Sequence, residues 1–192
     1  SKKSSIKQII SNYETPDLIV ANAGIAINGP IGKLNESQKE DAYYLMCGGI
    51  IDLIEGFAPK MIKKGNGRIV IISSIGAITA MPKSSIYSSA KAGIYMYGKS
   101  ISAELKNKGI SITVSLPGYV ETEAHKKAGL EHLKSKVPSW MWISADKVVN
   151  QTEKASKNAK SEVIPGIVYK LTKPFLKFNA AINVWRLITK KN

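Results

Sequence analysis

Three short strand-type runs, each ending abruptly in a polar or glycine-bearing cluster, constrain this chain more than any other feature. Residues 18–21 run into Asn22-Ala23-Gly24, residues 68–72 into Ser73-Ser74, and residues 110–116 into Pro117-Gly118. The run at 18–21 is continuous in apolar residues instead of alternating, which suits a strand buried on both faces, and 68–72 is rich in β-branched residues. Helical patterns precede and separate them. The spacing predicts a helix over residues 4–12 and a long one from Asn35 or Ser37 to about residue 63, before the turn Gly65-Asn66-Gly67. A third helix is predicted from residue 84 to about 107, closed by Gly109. Strands alternating with long helices predict an α/β fold built of crossover units, with helices on both faces of the sheet. Ligands of such sheets sit beyond the carboxyl ends of the strands, where all three clusters fall.

Composition narrows the function classes. With 192 residues and 44% hydrophobic content, one sizeable core is expected. A single cysteine, Cys47, excludes an internal disulfide framework and suits a reducing, cytoplasmic setting. The formal net charge is +14, but only Arg68 and Arg186 are arginines among 28 cationic residues. Recognition of phosphate or guanine favours arginine's planar fork, so no nucleic-acid partner is expected, and the lysines are read as solvated helix faces. The opening SKKSSIKQII reads like the middle of a protein, which leads us to expect residues upstream of Ser1. No uninterrupted apolar stretch reaches membrane-spanning length.

The chemistry concentrates in Tyr87-Ser88-Ser89-Ala90-Lys91. Four residues apart on a helix, the phenol and the ammonium share a face. Tyrosine ordinarily titrates near pH 10, and a neighbouring cation stabilises its phenolate, making it a usable acid or base. Ser74, at a strand end, is placed to hydrogen-bond a substrate oxygen. A Tyr-x-x-x-Lys pair is common on helices, so the pair acquires weight only from its company.

That company is specific. NAGI at 22–25, GRIVIISS at 67–74, YSSAK at 87–91 and LPGYVET at 116–122 resemble the short-chain dehydrogenase/reductase family in order and spacing, over roughly residues 5–150. The resemblance implies a Rossmann-like doubly wound parallel sheet, here lacking its first strands, and an oxidoreductase using NAD or NADP to interconvert a carbonyl and an alcohol. By the same resemblance Ser74, Tyr87 and Lys91 are the catalytic residues. Tyr87 exchanges the proton, Lys91 lowers its pKa and holds the nicotinamide ribose, and Ser74 holds the substrate oxygen. Asn22, Ala23 and Gly24 are expected on the adenosine side. The backbone at Pro117, Gly118 and Val120, with Thr122, is expected at the nicotinamide. The family's habit of pairing through its two long helices makes a homo-oligomer the expectation.

The sequence departs from the family in two places. Met46 stands where many members carry an asparagine of a water relay, and we read it as a core residue. No glycine-rich strand-to-helix turn for a pyrophosphate is found, so roughly 60 residues of the expected crossover units are absent from this sequence. Without them the strand at residue 18 becomes an exposed edge. His125 and His132 lack a defined third ligand, and no metal is expected. Residues 123–142 fall where the family places a substrate lid, and Leu130, Leu133, Val137, Trp140, Met141 and Trp142 suggest an apolar carbonyl substrate. We divide the chain into residues 1–162, the catalytic-domain part, and a tail, 163–192, with six cations and no acid. Such a basic amphipathic tail suits either packing on the domain or contact with an anionic membrane surface. A remnant without catalysis, a binding protein and a peripheral membrane protein are the competing readings.

Overall fold

A computed structural model of the chain describes residues 2–122 and 137–175, together with Asn183. Helix α1 (Lys2–Asn12) leads into strand β1 (Leu18–Ala21). Helix α2 (Glu36–Tyr43) continues through a π-helical turn, Tyr44–Gly48, into α3 (Gly49–Lys64). Then come β2 (Gly67–Ile72), α4 (Ser85–Leu105) and β3 (Ile110–Ser115). Beyond them lie β4 (Tyr119–Glu121), β5 (Trp142–Ser144), α5 (Ala145–Lys157), β6 (Glu162–Val163) and the short α6 (Ile167–Thr172).

The main sheet is four-stranded in the order β1-β2-β3-β6, every neighbour parallel, while β4 and β5 form a separate parallel pair. The expected α/β, doubly wound parallel arrangement is thus present, with β1 as the edge strand. Strand periodicity assigns the two faces. Ile69, Ile71, Ile112 and Val114, all at most 2% exposed, enter one core with Ile50, Ile54, Phe57 and Met61 of α3 and Ile94 and Ile101 of α4. On the opposite face Arg68 reaches Glu153 and Ser156 of α5, and Ser115 shares a 2.8 Å hydrogen bond with Thr152. Thr113, fully buried, donates to the Lys160 carbonyl at 2.7 Å. Polar residues inside the strands therefore keep their hydrogen bonds, as burial requires.

Local chemistry sets the boundaries. Asn35 caps α2 through a reciprocal box with Gln38, so the first of the two candidate caps is the one used. The long predicted helix is interrupted, because the π turn inserts an extra residue into the ladder at Tyr44–Gly48 and presses Met46 and Cys47 into the core. Met46 is completely buried, in agreement with its reading as a core residue. Gly109, at φ 75°, follows α4 in the left-handed cap that the sequence predicts. Strands β4, β5 and β6, and helices α5 and α6, were not predicted.

The boundary placed between residues 162 and 163 falls inside β6, and the first residues beyond it pack against the domain. Ile164 and Tyr169 join a second buried cluster with Leu116, Tyr119 and Val137. Glu162 binds the Tyr95 hydroxyl at 2.7 Å and also pairs with Lys173. His125, His132, Leu130 and Leu133, and most of the basic tail including Arg186, lie outside the described residues. Among those described, no helix is long and apolar enough to cross a membrane, and no cluster of His, Cys, Asp or Glu suits a metal ion.

Candidate active site

The site gathers at the carboxyl ends of β1, β2 and β3. Ser73 and Ser74 follow β2 directly, and both are buried. The Ser74 hydroxyl accepts a hydrogen bond from Gly76 N–H at 3.0 Å, capping a short 3₁₀ turn over Ile75–Ala77. The same hydroxyl lies close enough to the Tyr87 phenol to draw its pKa down. Tyr87 stands near the start of α4, and its Cε1 lies 3.2 Å from where a Cβ at Gly76 would be, so only a small residue fits at that position.

One turn along α4, Lys91 is 4% exposed and donates from Nζ to the Ile72 carbonyl at 2.9 Å. The Ser73 hydroxyl donates to the Lys91 carbonyl at 2.8 Å, so the end of β2 grips both ends of this residue. Nζ is 6.0 Å from the centre of the Tyr87 ring. On its other side is Gly24, where a Cβ would stand 3.4 Å from Nζ and 3.9 Å from Met46 Cγ. The ammonium thus occupies a tight recess between β1, β2, α4 and the π turn.

The electrostatics differ from the expectation in one respect. Burial pushes the Tyr87 pKa above its usual value, and the Ser74 hydroxyl only partly offsets this. The Lys91 ammonium, 6.0 Å from the centre of the phenol ring, is bonded to the Ile72 carbonyl. Burial instead pulls Lys91 itself down to about 8. The protein holds a neutral phenol beside a cation that gives up its proton readily.

The remaining predicted residues arrange themselves around this cluster. Asn22, Ala23 and Gly24 are exposed at the end of β1. Pro117 is buried, and its carbonyl accepts from Ile75 N–H at 3.0 Å, which joins the turn after β3 to the residue beside Ser74. Gly118 packs beneath the Tyr169 ring. Val120 sits in β4, and Thr122 follows it, exposed. Sequence reasoning missed the Ile72 carbonyl as the lysine's acceptor, since a main-chain group carries no residue-type signal. It also missed Tyr169, whose only sequence mark is an aromatic residue three positions after Gly166.

Several comparisons place this geometry among known proteins. The short chain dehydrogenase family model matches residues 1–132. A ketoacyl reductase, HetN, from Nostoc sp. is 32% identical over 150 residues, covering 77% of this chain and 50% of that protein. A 3-oxoacyl-(acyl-carrier-protein) reductase, FabG, from Chlamydia trachomatis is 31% identical over 121 residues, covering 63% of this chain and 49% of its own length. The chain spans about half the length of these curated relatives. Among solved structures, a short-chain dehydrogenase from Sphingobium yanoikuyae in complex with NADPH superposes with a TM-score of 0.78 at 20% identity, over 94% of this chain and 70% of that one. A gluconate 5-dehydrogenase from Burkholderia cenocepacia, in complex with NADP and tartrate, gives 0.72 at 22% identity, over 86% and 69%. These two establish likeness of fold. With its motifs in order, its strand-end cluster and a family match over most of its length, the chain belongs to the short chain dehydrogenase family.

Proposed function

We propose that this chain carries the reaction centre of an NAD- or NADP-dependent oxidoreductase that interconverts a carbonyl and an alcohol on a hydrophobic small molecule. The observation that carries this reading is the gathering of Ser74 and Tyr87 around Gly76, beside the recessed Lys91 ammonium. The residues present suit a nicotinamide nucleotide. Lys91 uses one of its three N–H groups on Ile72, leaving two for ribose hydroxyls, and the missing side chain at Gly24 keeps the approach to Nζ open.

When bound, the nicotinamide supplies or accepts the hydride. The protein's share is proton transfer and positioning. The Ser74 hydroxyl, already close to Tyr87, holds the substrate oxygen beside the phenol. Tyr87 donates its proton to that oxygen in the reducing direction, and its raised pKa keeps it protonated beforehand. The nearby Lys91 cation opposes the negative charge left on the phenolate. Ile75, Ala77, Ile78, Met141 and Trp142 pack on the second apolar cluster and support the choice of an apolar substrate, as do the ketoacyl reductases among the relatives. A cytoplasmic homo-oligomer completes this reading.

Tyr87→Phe, made in the longest natural form of the protein, tests the assignment. Turnover should fall by at least about a hundredfold, while NADPH or NADH still binds by fluorescence titration. Unchanged turnover overturns the role of Tyr87. A parent protein that binds neither nucleotide supports the reading as a remnant without catalysis.

A further inference from the structure

A tyrosine fifty residues beyond the turn at Pro117-Gly118-Tyr119 holds that turn in place. Tyr169, in α6, is 2% exposed, and its ring rests directly on Gly118. A Cβ built on that glycine would lie 2.0 Å from the ring's Cζ and 2.3 Å from Cε2. The Tyr169 hydroxyl accepts from Tyr119 N–H at 3.0 Å and donates to the Met141 carbonyl at 2.6 Å. Two main-chain groups from different segments are therefore held at a set separation by one oxygen. Burial raises this phenol to about 12, so it remains a donor throughout the neutral range.

Both sides of the turn are fixed. On the site's side, Ile75 N–H donates to the Pro117 carbonyl at 3.0 Å, one residue after Ser74. On the far side, the chain turns into α6 at Gly166, whose φ of 87° suits glycine and whose N–H donates to the Gln151 side chain at 3.1 Å. A residue that merely filled space would need the ring but not the hydroxyl. Here the hydroxyl bonds the turn itself.

From this geometry we infer that Tyr169 is a positioning residue for cofactor binding, setting the Pro117-Gly118-Tyr119 backbone against the end of β2. The inference rests on the function proposed above, because it gives that turn a cofactor to meet. Tyr169→Phe keeps the ring on Gly118 and removes both hydrogen bonds.

The test uses the longest natural form of the protein, titrated with NADPH and with NADH. For the nucleotide the parent prefers, Tyr169→Phe should raise Kd and KM by about tenfold while kcat stays within about twofold. Amide exchange at Tyr119 should quicken, with β2 and β3 amides unchanged. In the parent, saturating nucleotide should slow amide exchange at Tyr119, a measurement that serves if Tyr169→Phe does not fold; exchange there unmoved by bound nucleotide overturns the inference. Nucleotide affinity equal to the parent's overturns the inference alone, as does a loss confined to kcat and thermal stability. A parent that binds neither nucleotide overturns the proposed function and this inference with it.

Discussion

Lys91 shows most clearly what a single residue costs and supplies. Its ammonium is buried with a backbone carbonyl as acceptor, and its pKa falls from the usual 10.5 to about 8. The unfolded chain therefore binds this proton more tightly than the folded one. Stability rises with pH between about 8 and 10.5, and the penalty is present in full below 8. Lys91→Met should accordingly stabilise the nucleotide-free protein at pH 7, by at most about 3 kcal/mol, and flatten its stability between pH 8 and 10. Urea midpoints for the two proteins at pH 7 and 10 check this, and equal midpoints at pH 7 contradict it. The type and spacing of Tyr87 and Lys91 were legible in the sequence. The partner of Nζ was not, because it is a carbonyl supplied by a strand nineteen residues earlier.

Among the elements, α4 matters most, since it carries both Tyr87 and Lys91 and must lie close on the sheet to present them. Gly98 allows that approach: a Cβ there would meet Val114 Cγ2 at 2.5 Å and Ile71 Cδ1 at 2.9 Å. Gly98→Ala should destabilise the fold by about 1–3 kcal/mol, measured by denaturant titration, and lower turnover by shifting the helix away from β2. Stability equal to the parent's would show that the interface has slack. The cap of α2 and the left-handed Gly109 that closes the 3₁₀ turn after α4 were readable because Asn35 and Gly109 act locally. Strand β6 was not, because its two residues acquire strand character only by pairing with Val114 and Ser115. The π turn was equally hidden: Gly48-Gly49 weakens the helical pattern there without saying how the ladder shifts, and the extra residue is accommodated by packing at Met46 and Cys47.

On the scale of the molecule, the edge of the sheet is the exposed feature. Among the described residues strand β1 has a neighbour on one side only, and Val20 is 54% exposed. Open parallel edges invite pairing with other chains. The 192-residue chain by itself should therefore self-associate through β1, and Val20→Lys should raise the concentration at which it stays dispersed. Light scattering across a concentration series reads this directly. The same measurement on the longest natural form checks the proposed closed oligomer, which a fixed small multiple of the chain mass would support. Scattering unchanged by Val20→Lys would move the contact away from this edge.

The sequence by itself determined the α/β class, the three strands flanked by long helices, and the identity of the serine, tyrosine and lysine at their ends. The class and the strands follow from short-range periodicity, which each segment carries alone, whereas the three site residues stand out through the resemblance of four motifs in order. Only the tertiary structure decided that Lys91 is drawn to Ile72 instead of toward the phenol, and that burial raises Tyr87. It alone brought Tyr169 across fifty residues to lock the turn at Gly118. Burial and main-chain partnership are properties of the assembled chain, and no window of sequence contains them.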